Sequence, residues 1–474
     1  MDTALAKRDE LSPFVRLAIP GLATWLGWGI RGQIGHERGA MIPGSMVGLS
    51  LALTSSDPEV HRRAGLLGAA GAMGMSFGGT ETYGQTLGLS HGPTRDETYW
   101  WGILGVAVKG GAWIGLCGTY LGMAASDKDY GPFELMLLTA QSTALWRMGV
   151  EMLNRPHEPP ERLPRIYFSG PRGVEQPRPE VWAGQWFALL GLLGYLVVKR
   201  DRTALIMASY GILGGAAGFA GGQALQAWGT RRQPSQLISR YFGWWKVMET
   251  TFGLIAGTFL GAGMMAARPD HLRLARRKRF GLEETMLARA AGKYALYEHL
   301  NDRPWTVHAM DSMVIGGLAL ADAFACNLSA WLQTLPLVHG YTMKDTAEYW
   351  RSIDRDDLIP DCTRPAVMAV GGLAALAALL VPLQANGSRW AAGVGLLKAA
   401  WGQSLLSHVK MLLPAVREPG DAEKPALPPA EKVKQAARRA AQKQPGQLGV
   451  ETAFAVATLL LTGLVVYALS RRDS

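Results

Sequence analysis

Apolar stretches recur along the whole chain, and each is about as long as a helix that crosses a membrane. Roughly 20 apolar residues in helical form span the hydrocarbon core of a bilayer. The pattern predicts an all-α protein, a polytopic integral membrane helix bundle of about 12 spans. We place the candidate spans at 13–32, 40–54, 64–80, 99–125, 133–153, 181–198, 203–228, 241–267, 311–338, 366–386, 390–414 and 449–470.

Composition agrees with this class of protein. Charged residues make up 18% of the chain, whereas roughly a quarter is usual in soluble domains. The 58 glycines would weaken helices in water, but they allow close helix packing in lipid. The second and third spans are short and rich in Gly and Pro, so we expect partly broken helices there.

A repeated tetrapeptide predicts internal repeats. Gly-Gln-small-Leu occurs at 84–87, 222–225 and 402–405, and the first two copies are 138 residues apart. The segment 118–122 recurs at 257–261 with nearly the same offset. These matches predict two parallel four-span repeats, with the third copy marking a further, diverged unit. The predicted domains are a first repeat at 1–130, a second at 131–267, a basic amphipathic insertion at 268–310, and a third unit at 311–474 with a charged linker at 415–448.

The charges between the spans predict the surroundings of the chain. The net charge is +10, but the basic residues flank apolar spans and form no nucleic-acid-binding motif, so we expect anionic lipid headgroups as partners and no nucleic acid. Basic linkers such as 199–202 predict cytoplasmic termini in a bacterial inner membrane, although Arg231 and Arg232 then fall on the other side. Residues 1–16 show no small-residue cleavage site, so we expect no removable signal peptide.

No sequence pattern predicts a cofactor or a metal site. Cys117, Cys326 and Cys362 have no CxxC or Cys/His spacing, and the pair His36 and Glu37 does not form an HExxH motif. The chain also contains no complete catalytic motif that we identify. We therefore expect no metal and no cofactor.

The first candidate substrate-binding residues interrupt the hinge between the first two spans. They are Arg31, His36, Glu37 and Arg38, and four glycines stand among them. Glycine lets the backbone approach a ligand closely. The alternative is a tight turn whose charges face water.

The second set follows the third span. Glu81, Tyr83 and Gln85 stand here, while the offset segment of the second repeat keeps Gln223 and has no carboxylate. This asymmetry favours Glu81 and Tyr83 as functional groups. The alternative for the glutamines is a structural role, in which an amide caps backbone groups at a helix break.

Lys109 is an isolated charge within the fourth span, and ionisable residues inside spans are functional candidates by default. Glu81, Glu151 or a substrate anion are the partners that the sequence offers. Glu249 is a further candidate, although Lys246 stands three residues before it and predicts a structural pair on one helical face. Arg147 and Glu151, four residues apart, predict another such pair, and the doublets 100–101 and 244–245 predict interfacial tryptophans.

These features together favour a transporter or permease. Repeats, interrupted helices and buried charges of both signs are typical of that class. The basic candidates favour a small polar, anionic solute, with proton coupling through Glu81 or Glu37. Two alternatives remain open. One is a membrane transferase for a lipid-linked or amphiphilic substrate, with His36 or Glu37 as general base and Arg31 or Arg38 on a phosphate. The other is a non-catalytic scaffold.

Overall fold

The computed structural model describes most of the first 268 residues and one helix near the end of the chain. The described residues are 11–31, 40–79, 81–91, 95–128, 130, 132–159, 161–170, 177–268, 389, 392–393, 396–397 and 447–470. The predicted spans at 311–338 and 366–386, most of the span at 390–414, the insertion after Arg268 and the linker 415–448 lie outside these residues. The predicted third unit is therefore represented chiefly by its last helix.

The described part of the chain is all-α, as predicted. Its helices are α1 (Pro13–Arg31), α2 (Met41–Thr54), α3 (Pro58–Arg62), α4 (Ala64–Gly78), α5 (Gly84–Gly88), α6 (Arg95–Ala125), α7 (Pro132–Leu153), α8 (Trp182–Lys199), α9 (Arg202–Arg232), α10 (Trp244–Ala267) and α11 (Gln447–Ser470), with a π-helical turn at Ile238–Phe242. One isolated bridge between Glu158 and Arg162 is the sole β pairing in these residues.

Four of these helices are long and apolar enough to cross a membrane. They are α6, α8, α9 and α10, and they match the fourth, sixth, seventh and eighth predicted spans. Helix α2 is apolar but shorter, with 14 residues, and it is continuous over Met41–Thr54. The described chain thus has the character of a membrane protein, while the total of about 12 spans stays a prediction.

Six helices form a closed ring in which each packs on the next. The order around the ring is α1, α2, α4, α6, α9 and α10, and α10 packs back on α1. Neighbouring helices in the ring are antiparallel. At the α2–α4 interface, for example, Gly44 faces Gly71 and Gly48 faces Leu67. Helices α7 and α8 form a hairpin that packs on α6 and α9 through α8, and α11 packs on α1.

Glycine sets the spacing at the contact between α6 and α9. A Cβ atom added to Gly215 would lie 2.0 Å from the Gly110 carbonyl oxygen, and one added to Gly110 would lie 2.4 Å from the Gly215 carbonyl oxygen. Any other residue would force the two backbones apart. The glycine content that the sequence shows is therefore used for close helix packing, as is common in membrane proteins.

One end of the ring, which we call the Asp57 end, is held by ion pairs between connecting loops. Arg268, at the end of α10, lies 3.2 Å from Asp57 and 3.0 Å from Asp127. Arg63 donates to the Ser126 carbonyl at 2.6 Å and lies 3.5 Å from Glu59. The buried Arg63 and Arg268 thus join the connecting segments at this end to one another.

The predicted repeat is not confirmed, because the matched segments differ in local structure. The copy that begins at Gly84 forms the short helix α5, whereas the copy that begins at Gly222 lies inside the continuous helix α9. Helix α2 also packs along α4, while its predicted counterpart α8 packs mainly on α7. The repeat stays a prediction.

Candidate functional site

The other end of the ring, which we call the Arg31 end, contains two buried polar clusters. At this end the described part of α1 reaches Arg31, and α4 ends at Gly78, which contacts Trp113 on α6. Helices α6 and α9 extend beyond Arg31 and Gly78 at this end, and the part of α6 that precedes Lys109 is about 21 Å long. The loops before α5 and before α8 lie against these extensions. Side chains from several parts of the chain therefore meet here.

The first cluster, which we call the Lys109 cluster, consists of Lys109, Glu81 and Glu180. The ammonium Nζ of Lys109 lies 2.7 Å from Glu180 Oε1 and 3.1 Å from Glu81 Oε1. Lys109 is 0% exposed, and both carboxylates are 1% exposed. Of the two glutamates that the sequence offers as partners of Lys109, Glu81 is the one that contacts it. Glu151 instead pairs with Arg147 at 2.8 Å.

Hydroxyl and carbonyl groups complete the surroundings of Lys109. Its Nζ also donates to the Thr82 carbonyl at 2.6 Å, to Thr86 Oγ1 at 2.9 Å and to Ser169 Oγ at 3.3 Å. These groups come from the loop before α5, from α5 itself and from the segment between α7 and α8. Lys109 thus joins α6 to three other parts of the chain.

The two carboxylates hold the segment between α7 and α8 against the ring. Glu180 accepts hydrogen bonds from the Phe168 amide at 3.0 and 3.1 Å and from Ser169 Oγ at 2.6 Å. Glu81 Oε2 accepts from the Val181 amide at 3.0 Å. In the same segment Tyr167 donates to the Arg178 carbonyl at 2.9 Å. Burial, and then the charge of Glu180, raises the pKa of Tyr167, so its hydroxyl is a neutral donor at neutral pH.

The Lys109 cluster has one more carboxylate than it has cations. Two carboxylates in one buried site favour a proton on one of them, because their charges repel in a medium of low polarity. Glu81 lies in the loop between α4 and α5, outside the helices that are long enough to span. Burial raises the pKa of Glu81 to about 7, with Lys109 opposing and Glu180 adding to the rise. Glu81 can therefore exchange a proton near neutral pH.

The second cluster, which we call the Arg31 cluster, is formed by Arg31, Glu249 and a group of aromatic rings. Arg31 donates to the Tyr83 hydroxyl at 2.7 Å and lies 3.8 Å from Glu249 Oε1. Its guanidinium carbon lies 4.8 Å from the ring centre of Trp28 and 5.6 Å from those of Tyr83 and Trp113. Cation–π contacts of this kind stabilise a buried cation.

Glu249 receives its hydrogen bonds from its own helix. Lys246 Nζ donates to Glu249 Oε2 at 2.7 Å, and Trp245 Nε1 donates to Oε1 at 3.0 Å. The pair between Lys246 and Glu249 is the one that their spacing predicts. Lys246 also donates to the Gly29 carbonyl at 2.9 Å and so joins α10 to α1. Tyr83 connects the Arg31 cluster to the Lys109 cluster, because it stands two residues after Glu81.

Five of the predicted site residues lie in the two clusters. Arg31, Tyr83 and Glu249 meet in one cluster, and Glu81 and Lys109 meet in the other. Gln85 is partly exposed, and its Oε1 accepts from the Arg178 amide at 3.0 Å. His36, Glu37 and Arg38 lie outside the described residues.

Gln223 has the structural contacts that the alternative interpretation predicts. Its Nε2 donates to the Leu87 carbonyl at 3.0 Å and to Ser90 Oγ at 2.8 Å, at the end of α5. The second Gly-Gln copy thus caps the helix formed by the first copy. Its amide satisfies backbone groups at a break, as is common in membrane helices.

We expect Gln223→Met to lower the free energy of unfolding by about 1–3 kcal/mol, because two buried hydrogen bonds are lost, to the Leu87 carbonyl and to Ser90 Oγ, and each contributes about 0.5–1.5 kcal/mol. The measurement is titration with SDS, followed by tryptophan fluorescence. The matched control is Gln141→Met, since Gln141 donates to the Gly191 carbonyl at 3.3 Å at an exposed position. A change of less than about 0.5 kcal/mol is expected there, and equal effects of the two changes would contradict the capping role.

Sequence reasoning missed three important members of these clusters. Glu180 stands at the end of a Pro-rich stretch, and the signal that could have identified it is a carboxylate directly before an apolar helix. Trp28 and Trp113 resemble ordinary apolar residues of a span. Of the tryptophans that the doublets predict at the interface, Trp100 is 76% exposed and Trp244 is 7% exposed, and their interfacial placement stays a prediction.

The described residues contain no group of three His, Cys, Asp or Glu side chains that could hold a metal ion. Comparison with protein-family profiles, with curated proteins and with solved structures found no match for the chain. What the clusters can do is therefore argued from their own chemistry. One cluster can bind and release a proton, and the other presents a buried guanidinium among aromatic rings.

Proposed function

We propose that this chain is a proton-coupled membrane permease for a small polar, anionic solute. The observation that carries the proposal is the Lys109 cluster, in which one buried ammonium is shared by Glu81 and Glu180. Buried ionisable groups among apolar helices mark ion and proton pathways more often than they mark structural sites. Such a cluster changes its contacts when a proton is gained or lost.

Two further features support transport. The Lys109 cluster holds the segment before α8 against the end of the ring, so a change in its protonation alters how that end is closed. The Arg31 cluster lies beside it and supplies a cation for an anionic solute. The transferase alternative needs His36 or Glu37 as general base, with Arg31 or Arg38 on a phosphate, and both candidate bases lie outside the described part of the chain, so we do not develop it.

Charge movement in proteoliposomes on a solid-supported membrane tests the proposal. The probes are acetate, benzoate, citrate, phosphate and sulfate, each added by rapid exchange at pH 6 and pH 8. Because the pKa of Glu81 is about 7, its protonated fraction falls about tenfold between these values. We expect at least one anion to evoke a transient current that changes with pH over this window.

Glu81→Gln keeps the size of the side chain and mimics its protonated form. We expect this variant to carry a current that no longer depends on pH between 6 and 8. Glu151→Gln is the matched control, since Glu151 is partly exposed and paired only with Arg147 in the described contacts. Currents equal to those of protein-free liposomes for all five anions would reject the permease and favour the scaffold.

A further inference from the structure

The connection from α9 to α10 combines exposed apolar side chains with exposed arginines. Trp228 near the end of α9 is 51% exposed, Leu237 in the connection is 71% exposed, and Trp245 at the start of α10 is 42% exposed. Arg231 and Arg232 lie in the last turn of α9 and are exposed as well. We call this surface, from Trp228 to Trp245, the α9–α10 corner.

Contacts within the corner fix its parts against one another. The ring centres of Trp228 and Trp244 lie 6.3 Å apart, and a Cβ atom added to Gly229 would meet the Trp244 ring at 2.0 Å. Trp244 Nε1 donates to Ser239 Oγ at 3.0 Å, and the Ser239 hydroxyl donates to Gln233 Oε1. The end of α9, the π-helical turn and the start of α10 are therefore joined, and the exposed rings and arginines stay together.

The charge of the corner has one sign. Residues 202–248 include no acidic residue. The basic residues in this range are Arg202, Arg231, Arg232, Arg240 and Lys246. The exposed Arg147 pairs with Glu151 at 2.8 Å, whereas Arg231 and Arg232 form no ion pair within the described part of the chain. Their charges are therefore available to an anion outside the protein.

The length of α9 brings the corner to the level of lipid headgroups. Helix α9 has 31 residues, so it is about 46 Å long, whereas the hydrocarbon core of a bilayer is about 30 Å thick. Exposed tryptophans are typical of the layer between acyl chains and headgroups. Arg232 stands four residues beyond Trp228, which is about 6 Å further along the helix and toward water.

We infer that the α9–α10 corner binds the headgroups of anionic phospholipids. Arg231 and Arg232 bind the headgroup phosphates, for which the planar guanidinium is well suited. Trp228, Leu237 and Trp245 lie between the upper ends of the acyl chains. The inference goes beyond transport, because it depends on the outer surface of the bundle and on none of the buried clusters.

Thermal unfolding of the full-length protein in dodecyl maltoside tests the inference, because a ligand that binds the folded state raises the midpoint of unfolding. The probes are dioleoylphosphatidylglycerol, dioleoylphosphatidylcholine and soluble glycerol 3-phosphate. We expect half of the full shift at an about tenfold lower concentration of phosphatidylglycerol than of phosphatidylcholine. Glycerol 3-phosphate lacks acyl chains, so no shift is expected. In about 0.5 M NaCl the preference is expected to fall below about threefold.

Variants of the two arginines locate the binding. Changing both Arg231 and Arg232 to Gln is expected to lower the preference for phosphatidylglycerol about fivefold, and changing both to Lys is expected to keep most of it, because the charge is retained. The matched control changes Arg147 and Arg162 to Gln. These arginines are exposed but pair with Glu151 and Glu158, so the preference is expected to stay within about twofold of wild type.

Three outcomes would overturn the inference. They are equal half-saturating concentrations of the two lipids for the wild type, a preference that survives the change of both Arg231 and Arg232 to Gln, and an equal loss in the control variant. Both arginines of the corner are exposed, so their variants are expected to fold, and the midpoint measured without lipid checks this. A failure here leaves the proposed permease in place, and absent currents leave the lipid site in place.

Discussion

Lys109→Met is expected to lower the free energy of unfolding by about 3–5 kcal/mol, the effect of removing one partner from a buried ion pair. The change leaves Glu81 and Glu180 buried together without the ammonium that lies within 3.1 Å of both. It also removes the donor to Thr82, Thr86 and Ser169. Titration with SDS, followed by tryptophan fluorescence, measures the loss.

Two controls separate charge from packing in this experiment. Arg147→Met removes a cation of similar length from a helical pair whose side chains are 52% and 45% exposed, and about 0.5 kcal/mol or less is expected. Adding Glu81→Gln and Glu180→Gln to Lys109→Met removes the stranded charges and is expected to restore at least half of the lost stability. A triple variant no more stable than Lys109→Met would show that charge is not the cause.

Gly215→Ala is expected to lower the free energy of unfolding by about 3 kcal/mol, at the upper end for overpacked interiors. The new Cβ would lie 2.0 Å from the Gly110 carbonyl oxygen, which belongs to the backbone of α6 and cannot rotate away. Helices α6 and α9 would have to separate. Because Lys109 precedes Gly110, this change is also expected to disturb the Lys109 cluster.

Gly194→Ala is the matched control for helix propensity. Gly194 also lies inside a helix, but a Cβ there meets no atom within 4 Å. Alanine favours helix over glycine, so we expect a gain of about 0.5–1 kcal/mol in the free energy of unfolding. Opposite signs for the two glycines identify close packing as the cause. A loss of stability at both positions would contradict it.

Part of the candidate site follows from local pattern and part does not. The need of Lys109 for a partner is visible in the sequence, because an isolated cation in an apolar span is costly. The choice of Glu81 over Glu151 is not visible, since it depends on which helix faces which. Glu180 stands 71 residues after Lys109 along the chain, and no spacing rule predicts a contact over that separation.

The sequence by itself determined that the described chain is helical and where α6, α8, α9 and α10 run, because apolar periodicity and length act within each segment. It also determined the pairs of Lys246 with Glu249 and of Arg147 with Glu151, which depend on the helical repeat alone. Only the tertiary structure decided that six helices close into a ring and that two charged clusters meet at one end. The ring depends on close backbone approach at glycines such as Gly110 and Gly215, and the clusters depend on the course of the loop before α8. In each case the segments that meet are distant in sequence.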